Sequence, residues 1–226
     1  MGERRRLTSA DGFELDAWHT TPGDARRGGL VILHAIWGVT PHIRELCEAW
    51  AEDGYECLAP SLFDRFERGF PDRNTDPERM ATQDGYARAT EWGRTTIPDV
   101  QAAIDTLEPP VFLMGFCFGG TTAWIASAQC KGISAVASFY GGQIYLNLDL
   151  EPACPTILHL GKHDELIPPD EVETIRAAHP ELPIFMYDAG HAFVAPNGFD
   201  ADAARLSRLR TLAHFSRNGG GRGEGA

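Results

Sequence analysis

The sequence predicts an α/β protein in which a mostly parallel central sheet carries helices on both faces, a three-layer sandwich. Three observations predict it. Short apolar runs such as Leu30–His34 and Val111–Met114 have the uncharged character of strands buried on both sides. Segments of helical period alternate with such runs almost throughout. No linker and no internal repeat divides the 226 residues, so one domain over 1–217 accounts for the length. The Gly-rich stretch 218–226 reads as a disordered tail.

The elements follow in order. Arg5–Thr8 and Phe13–His19 flank the turn signal Asp11-Gly12 and predict a β-hairpin. Leu30–His34 is the first buried strand. In Pro41–Asp53, Ile43, Leu46, Cys47 and Trp50 keep the three-four spacing of a helix face, with Thr40 placed to cap it and Gly54 to end it. Tyr55–Ala59 is the next strand. Ser61–Asp76, rich in Arg, Asp, Pro and Gly without a period, predicts a long loop over a site.

A weak helix over Pro77–Trp92 and a stronger one over Pro98–Leu107 precede the strand Val111–Met114. Then come a helix over Thr121–Gln129, a strand over Ile133–Tyr140, a strand over Thr156–Leu160, a helix over Asp170–Ala178 and a strand over Ile184–Tyr187. The last helix, Ala201–Ser216, places Leu206, Leu209, Leu212 and Phe215 on one side.

Composition excludes several functions. A formal charge of −12 opposes nucleic acid and anionic membrane surfaces as partners. No apolar run reaches the ~20 residues of a membrane span, and the start Met1-Gly2-Glu3-Arg4-Arg5-Arg6 leads into no apolar segment, which argues against a secretory signal. Five cysteines, at 47, 57, 117, 130 and 154, form no CxxC and leave one over from any pairing. Free thiols in a reducing cytoplasm are expected, four of them as small packing residues.

Cys117 stands apart. Val111–Met114 runs into Gly115-Phe116-Cys117-Phe118-Gly119-Gly120 and then into a helix, the strand–turn–helix context of a nucleophile elbow with cysteine in the serine position. Small residues two before and two after are needed because the turn leaves no room for Cβ atoms. The helix N-terminus favours a thiolate there. Neither G-x-G-x-x-G nor a Walker lysine is present, so the segment is no phosphate loop.

Two later strands supply partners in the chain order this arrangement uses. Thr156–Leu160 exits into Gly161-Lys162-His163-Asp164, and Ile184–Tyr187 into Asp188-Ala189-Gly190-His191. Cys117, Asp164 and His191 thus fall at successive carboxyl ends of the sheet, where open α/β sheets bind ligands. Glu165 is a less well-placed acid than Asp164. His159 and His163 do not read as a metal pair, because a strand exit does not make them helical neighbours. His34 reads as a hydrogen-bonded structural histidine, and Asp99 and Asp105 as solvated helix positions.

With these motifs the sequence resembles the dienelactone hydrolase family of the α/β-hydrolase superfamily, from His34-Ala35-Ile36-Trp37-Gly38 through the G-x-C-x-G-G elbow to Tyr187-Asp188-Ala189-Gly190-His191-Ala192-Phe193. The resemblance implies an α/β-hydrolase fold and hydrolysis of esters or lactones without a cofactor or metal. Two departures stand out. Ala35 occupies the position of a family Glu that assists ionisation of the cysteine. Phe193-Val194-Ala195-Pro196 lacks the family arginine that holds a substrate carboxylate. Dienelactone specificity and strongly anionic substrates are therefore disfavoured.

The expected chemistry is acyl transfer through a thioester: Cys117 as nucleophile, His191 as general base and acid, Asp164 orienting it, and the backbone N–H groups of Ile36 and Phe118 holding the oxyanion. Trp37, Arg65, Tyr86, Tyr140 and Phe193 are candidates for the substrate pocket, with Arg65 as a replacement cation. The expected partner is a small ester or lactone, with no nucleic acid and no membrane, and the protein a monomer or homodimer. Two alternatives from other classes are a binding protein that has lost activity and a thiol redox sensor using Cys117. The lack of a nearby resolving cysteine weakens the latter.

Overall fold

In the computed structural model, residues 2–71 and 77–221 are described. Eight strands form one sheet in the order β1-β2-β4-β3-β5-β6-β7-β8. The hairpin of β1 (Glu3–Thr8) and β2 (Glu14–Thr20) is antiparallel, and β2 pairs antiparallel with β4 (Tyr55–Pro60). From β4 onward β3 (Gly28–Leu33), β5 (Val111–Phe116), β6 (Ile133–Phe139), β7 (Thr156–Gly161) and β8 (Ile184–Tyr187) are all parallel. The expected α/β architecture is present, with most element limits within a few residues of those read from the sequence.

The buried strands alternate their side chains between two apolar layers, as the period of two requires. Leu30 and Ile32 of β3 and Phe112, Met114 and Phe116 of β5 face α1 (Pro41–Glu52) and α6 (Ala201–Phe215). Val31, Leu33, Val111 and Leu113 face α3 (Ile97–Asp105) and α4 (Phe118–Gln129), and α5 (Pro169–Ala178) lies between β7 and β8 in the chain. Chain order reverses between β3 and β5: from β3 the chain moves outward to β4, then returns to lay β5 on the other side. Such a reversal opens a crevice at the carboxyl ends of the strands.

Several elements depart from expectation. Thr40 stands at the N-cap of α1 but makes no side-chain capping bond. The helix expected over Pro77–Trp92 ends at Ala89 (α2, Pro77–Ala89). A 3-10 turn follows at Glu91–Thr96, kinked by positive φ at Trp92 and Gly93. A Cβ on Gly93 would collide with Thr122, so the kink is where this turn presses on α4.

In α6 the buried residues are Ala203, Ser207, Thr211 and Phe215, while Leu206 and Leu209 are exposed. Spacing by four puts the small residues on the inner face, letting the helix lie close to the sheet and leaving those leucines outside. Ser216–Gly220 continues as a helical turn. Gly220 is buried and its carbonyl accepts from Arg27 Nε at 2.9 Å, so this part of the expected tail is packed. Residues 222–226 lie outside the described residues. So do 72–76 of the loop expected over a site.

Candidate active site

The turn at Cys117 is built by close approach. Cys117 has φ 54° and ψ −111°, a conformation L residues rarely adopt, and stands at the N-cap of α4. A Cβ on Gly115 would collide with the Gly119 carbonyl, one on Gly119 with the carbonyl of Leu33, and one on Gly120 with that of Phe139. The three glycines therefore let α4 start wedged between the ends of β3 and β6. The Cys117 N–H donates to the Phe139 carbonyl at 3.0 Å, fixing the turn to β6. Phe118 is the first residue of α4, so its N–H has no acceptor within the helix.

Two neighbouring loops bring the other residues in. The loop after β7 is tied to the loop after β8 by backbone bonds from the Lys162 N–H to the Tyr187 carbonyl (2.8 Å) and from the His163 N–H to the Ala189 carbonyl (3.0 Å). This lacing carries Asp164 under His191: Asp164 Oδ2 lies 2.7 Å from His191 Nδ1, and the Leu166 N–H donates to Asp164 Oδ1 at 2.9 Å. The Asp164 side chain is wholly buried.

His191 Nε2 is buried and has no hydrogen-bond partner among the described residues, and the Cys117 sulfur is close enough to act on its protonation. Burial works against the imidazolium, but Asp164 and the Cys117 sulfur outweigh it and raise the His191 pKa to about 9. The Tyr140 ring leans on His191 with 4.9 Å between centroids. Burial pushes the Tyr140 phenol well above its ordinary value, so it stays protonated.

Cys117 and His191 open into a cavity of about 160 Å³ whose other walls include Ile36, Trp37, Ile43, Met80, Phe116 and Tyr140. Among its described lining residues there is no Arg or Lys. Ile36 and Trp37, in the loop after β3, line the cavity, and so does Tyr140.

Three pocket candidates lie elsewhere. Arg65 turns away toward the hairpin: Nε and Nη2 donate to Asp99 at 2.8 and 2.7 Å, and Nη1 donates to Asp11 at 2.8 Å. Tyr86 stacks on Phe66 at 4.9 Å, and Phe193 is fully buried behind Tyr140 and Tyr187. Asp99 is not solvated but fully buried, receiving Arg65 and the Ser9 hydroxyl; Asp105 accepts from Gln101 at the surface.

His34 and His159 are held by structural hydrogen bonds. The Leu62 N–H donates to His34 Nε2 at 3.1 Å, which leaves the proton on Nδ1 to donate to the Ala35 carbonyl at 2.7 Å. Complete burial lowers its pKa to about 4. His159 is buried between the Tyr187 and Thr211 hydroxyls, at 2.7 and 3.0 Å, and burial lowers it to about 3. His163 faces solvent beside Asp188. Among the described residues no group of three or more His, Cys, Asp and Glu side chains is clustered to hold a metal.

Sequence reasoning missed His42, Ile43, Met80, Leu166 and Asn197, which also line the cavity. A signal for the first two existed. The helix that follows a strand directly begins at the sheet's carboxyl edge, so the first turn of α1 borders any site there.

The family model described as the dienelactone hydrolase family matches residues 15–218. The chain belongs to the dienelactone hydrolase family. It is 28% identical over 242 residues to a putative carboxymethylenebutenolidase of Escherichia coli K12, covering 93% of this chain and 85% of that one. It is also 28% identical over 228 residues to the carboxymethylenebutenolidase of Pseudomonas putida, covering 91% and 92%. A crystal structure of a putative dienelactone hydrolase from Klebsiella pneumoniae superposes with a TM-score of 0.80 at 25% identity, over 96% of this chain and 99% of that one. Membership in this family makes the protein a hydrolase of carboxylic esters or lactones.

Proposed function

We propose that the protein cleaves a carboxylic ester or lactone through an acyl-thioester on Cys117. The observation that carries this reading is the bond from Asp164 to His191, with His191 and Cys117 both on the wall of one apolar cavity. With Nδ1–H held by Asp164, His191 Nε2 is the atom left to take the thiol proton. The elevated His191 pKa keeps the resulting imidazolium charged at neutral pH beside the thiolate.

The thiolate attacks the carbonyl carbon, and the oxyanion rests on the Phe118 and Ile36 N–H groups. The carbon–oxygen bond breaks as His191 returns its proton to the leaving alkoxide. Water, deprotonated by His191, then attacks the thioester; the carbon–sulfur bond breaks, the acid leaves, and the proton is restored. Where the family places a Glu, Ala35 contributes no charge, so the thiolate depends on His191 and the α4 N-terminus.

Five free thiols support a reducing, cytoplasmic setting. No helix among the described residues is long and apolar enough to cross a membrane. The reading is tested with p-nitrophenyl esters and a panel of small lactones against the parent, Cys117→Ala and His191→Ala. Turnover abolished by both substitutions supports it. No turnover by a folded parent, with Cys117 still open to stoichiometric alkylation, refutes it in favour of a binding protein.

A further inference from the structure

A second cavity, of about 450 Å³, lies between α1 and α6. His42 and Phe116 line both cavities, so the two adjoin at the first turn of α1 and at the residue preceding Cys117. Its walls include Leu46 and Trp50 of α1, Met114 of β5, and Val194 and Phe199 from the segment after His191.

The charged residues at its rim are already engaged: Arg208 with Asp53 at 2.6 Å, and Arg205 with Asp202 at 3.5 Å. Burial holds His42 below its ordinary pKa and favours the neutral ring at the junction. Three large apolar side chains around the two cavities are exposed: Met80 at 51% and Leu166 at 62% on the first, and Phe199 at 61% on the second. Solvated apolar side chains gathered around a crevice mark a surface that an apolar ligand covers.

We propose that the two cavities form one channel and that the substrate is a neutral ester bearing a medium-length, unbranched alkyl chain, its carbonyl at Cys117 and its chain passing His42 into the space between α1 and α6. The inference rests on the hydrolase reading above and narrows its substrate class. The chain gains affinity by leaving water for an apolar wall, worth about fourfold per methylene.

The test varies chain length on each side of the ester: p-nitrophenyl acetate, butyrate and octanoate, and methyl, butyl and octyl acetates. Each is measured with the parent and with Ala204→Phe and Ala49→Phe, which fill the second cavity away from Cys117 and His191. The expected result is kcat/KM at least tenfold higher for the longest member of one series. Both variants should lose that gain while staying within twofold of the parent on p-nitrophenyl acetate. Flat chain-length dependence, or a gain that survives both variants, overturns the channel and leaves the hydrolase reading standing.

A second readout is independent of turnover. Titration of Cys117→Ala with octyl acetate should change tryptophan fluorescence saturably, since Trp50 and Trp37 line the two cavities. The change should be lost when Ala204→Phe is added. No saturable change overturns the proposal even if the parent proves inactive on every ester.

Discussion

Replacing Asp164 by Asn removes the charge beneath His191 while keeping the shape of the buried side chain. The interval between an ordinary imidazole pKa of 6.5 and about 9 in the folded protein corresponds to ~3 kcal/mol favouring the imidazolium. Asp164 and the Cys117 sulfur share that stabilisation against the opposing effect of burial, so the electrostatic loss alone is tenfold to about a hundredfold in kcat/KM. The tautomer adds to it. An Asn amide can donate to Nδ1, which moves the ring proton to Nε2 and leaves no lone pair to accept the thiol proton.

The combined expectation for Asp164→Asn is a fall in kcat/KM of at least about two orders of magnitude. Its alkaline limb should also move. In the parent the imidazolium persists until the pH passes about 9, so kcat/KM declines above that value; in the variant the decline starts at lower pH. The assay is kcat/KM against p-nitrophenyl acetate from pH 6 to pH 10, with circular dichroism confirming the fold. Activity within threefold of the parent, or an unmoved alkaline limb, would refute the assignment of Asp164.

Three further outcomes are expected. His34 and His159 are neutral in the fold with pKa values of about 4 and about 3, below the unfolded 6.5, so their stabilisation is complete above pH 6.5 and is lost as the pH falls. Together they cost ~4 kcal/mol between pH 7 and pH 5, read from urea unfolding, and His159→Gln should halve that pH dependence; a slope unchanged by the substitution would contradict this. Gly119→Ala must push the α4 N-terminus off the Leu33 carbonyl and should destabilise by more than about 3 kcal/mol, whereas a melting temperature within two degrees of the parent's, on the order of experimental scatter, would show the turn to be looser than described. Arg65→Ala strands the buried Asp99 carboxylate and should cost about 3–5 kcal/mol of stability with KM little changed, while a large KM increase in a stably folded variant would return Arg65 to the substrate.

The parts legible in the sequence are those set by local rules. A buried parallel strand announces itself by an uncharged run, and the elbow by glycines whose Cβ atoms would meet backbone carbonyls. Asp164 and His191 were legible because each follows a strand at a fixed edge of the sheet. Side-chain direction was not legible. Arg65 lies in the loop after β4, and two carboxylates distant in sequence, Asp11 and Asp99, draw it to the hairpin. The leucine stripe of α6 fits a buried face equally well, but the sheet receives the small-residue face because the helix can then approach more closely. Met80, on α2, and Leu166, in the loop after β7, line the cavity because of where those segments are placed in space, which no periodicity encodes.

The central claim is a covalent bond between substrate and Cys117, and rapid quench with intact-mass spectrometry tests it most directly. Acid-quenching the protein within its first turnover of p-nitrophenyl acetate should show a species heavier by one acetyl group, mapped by peptide digestion to Cys117 and absent in Cys117→Ala. Steady turnover with no acyl group on Cys117, or equal turnover by Cys117→Ala, would contradict the account.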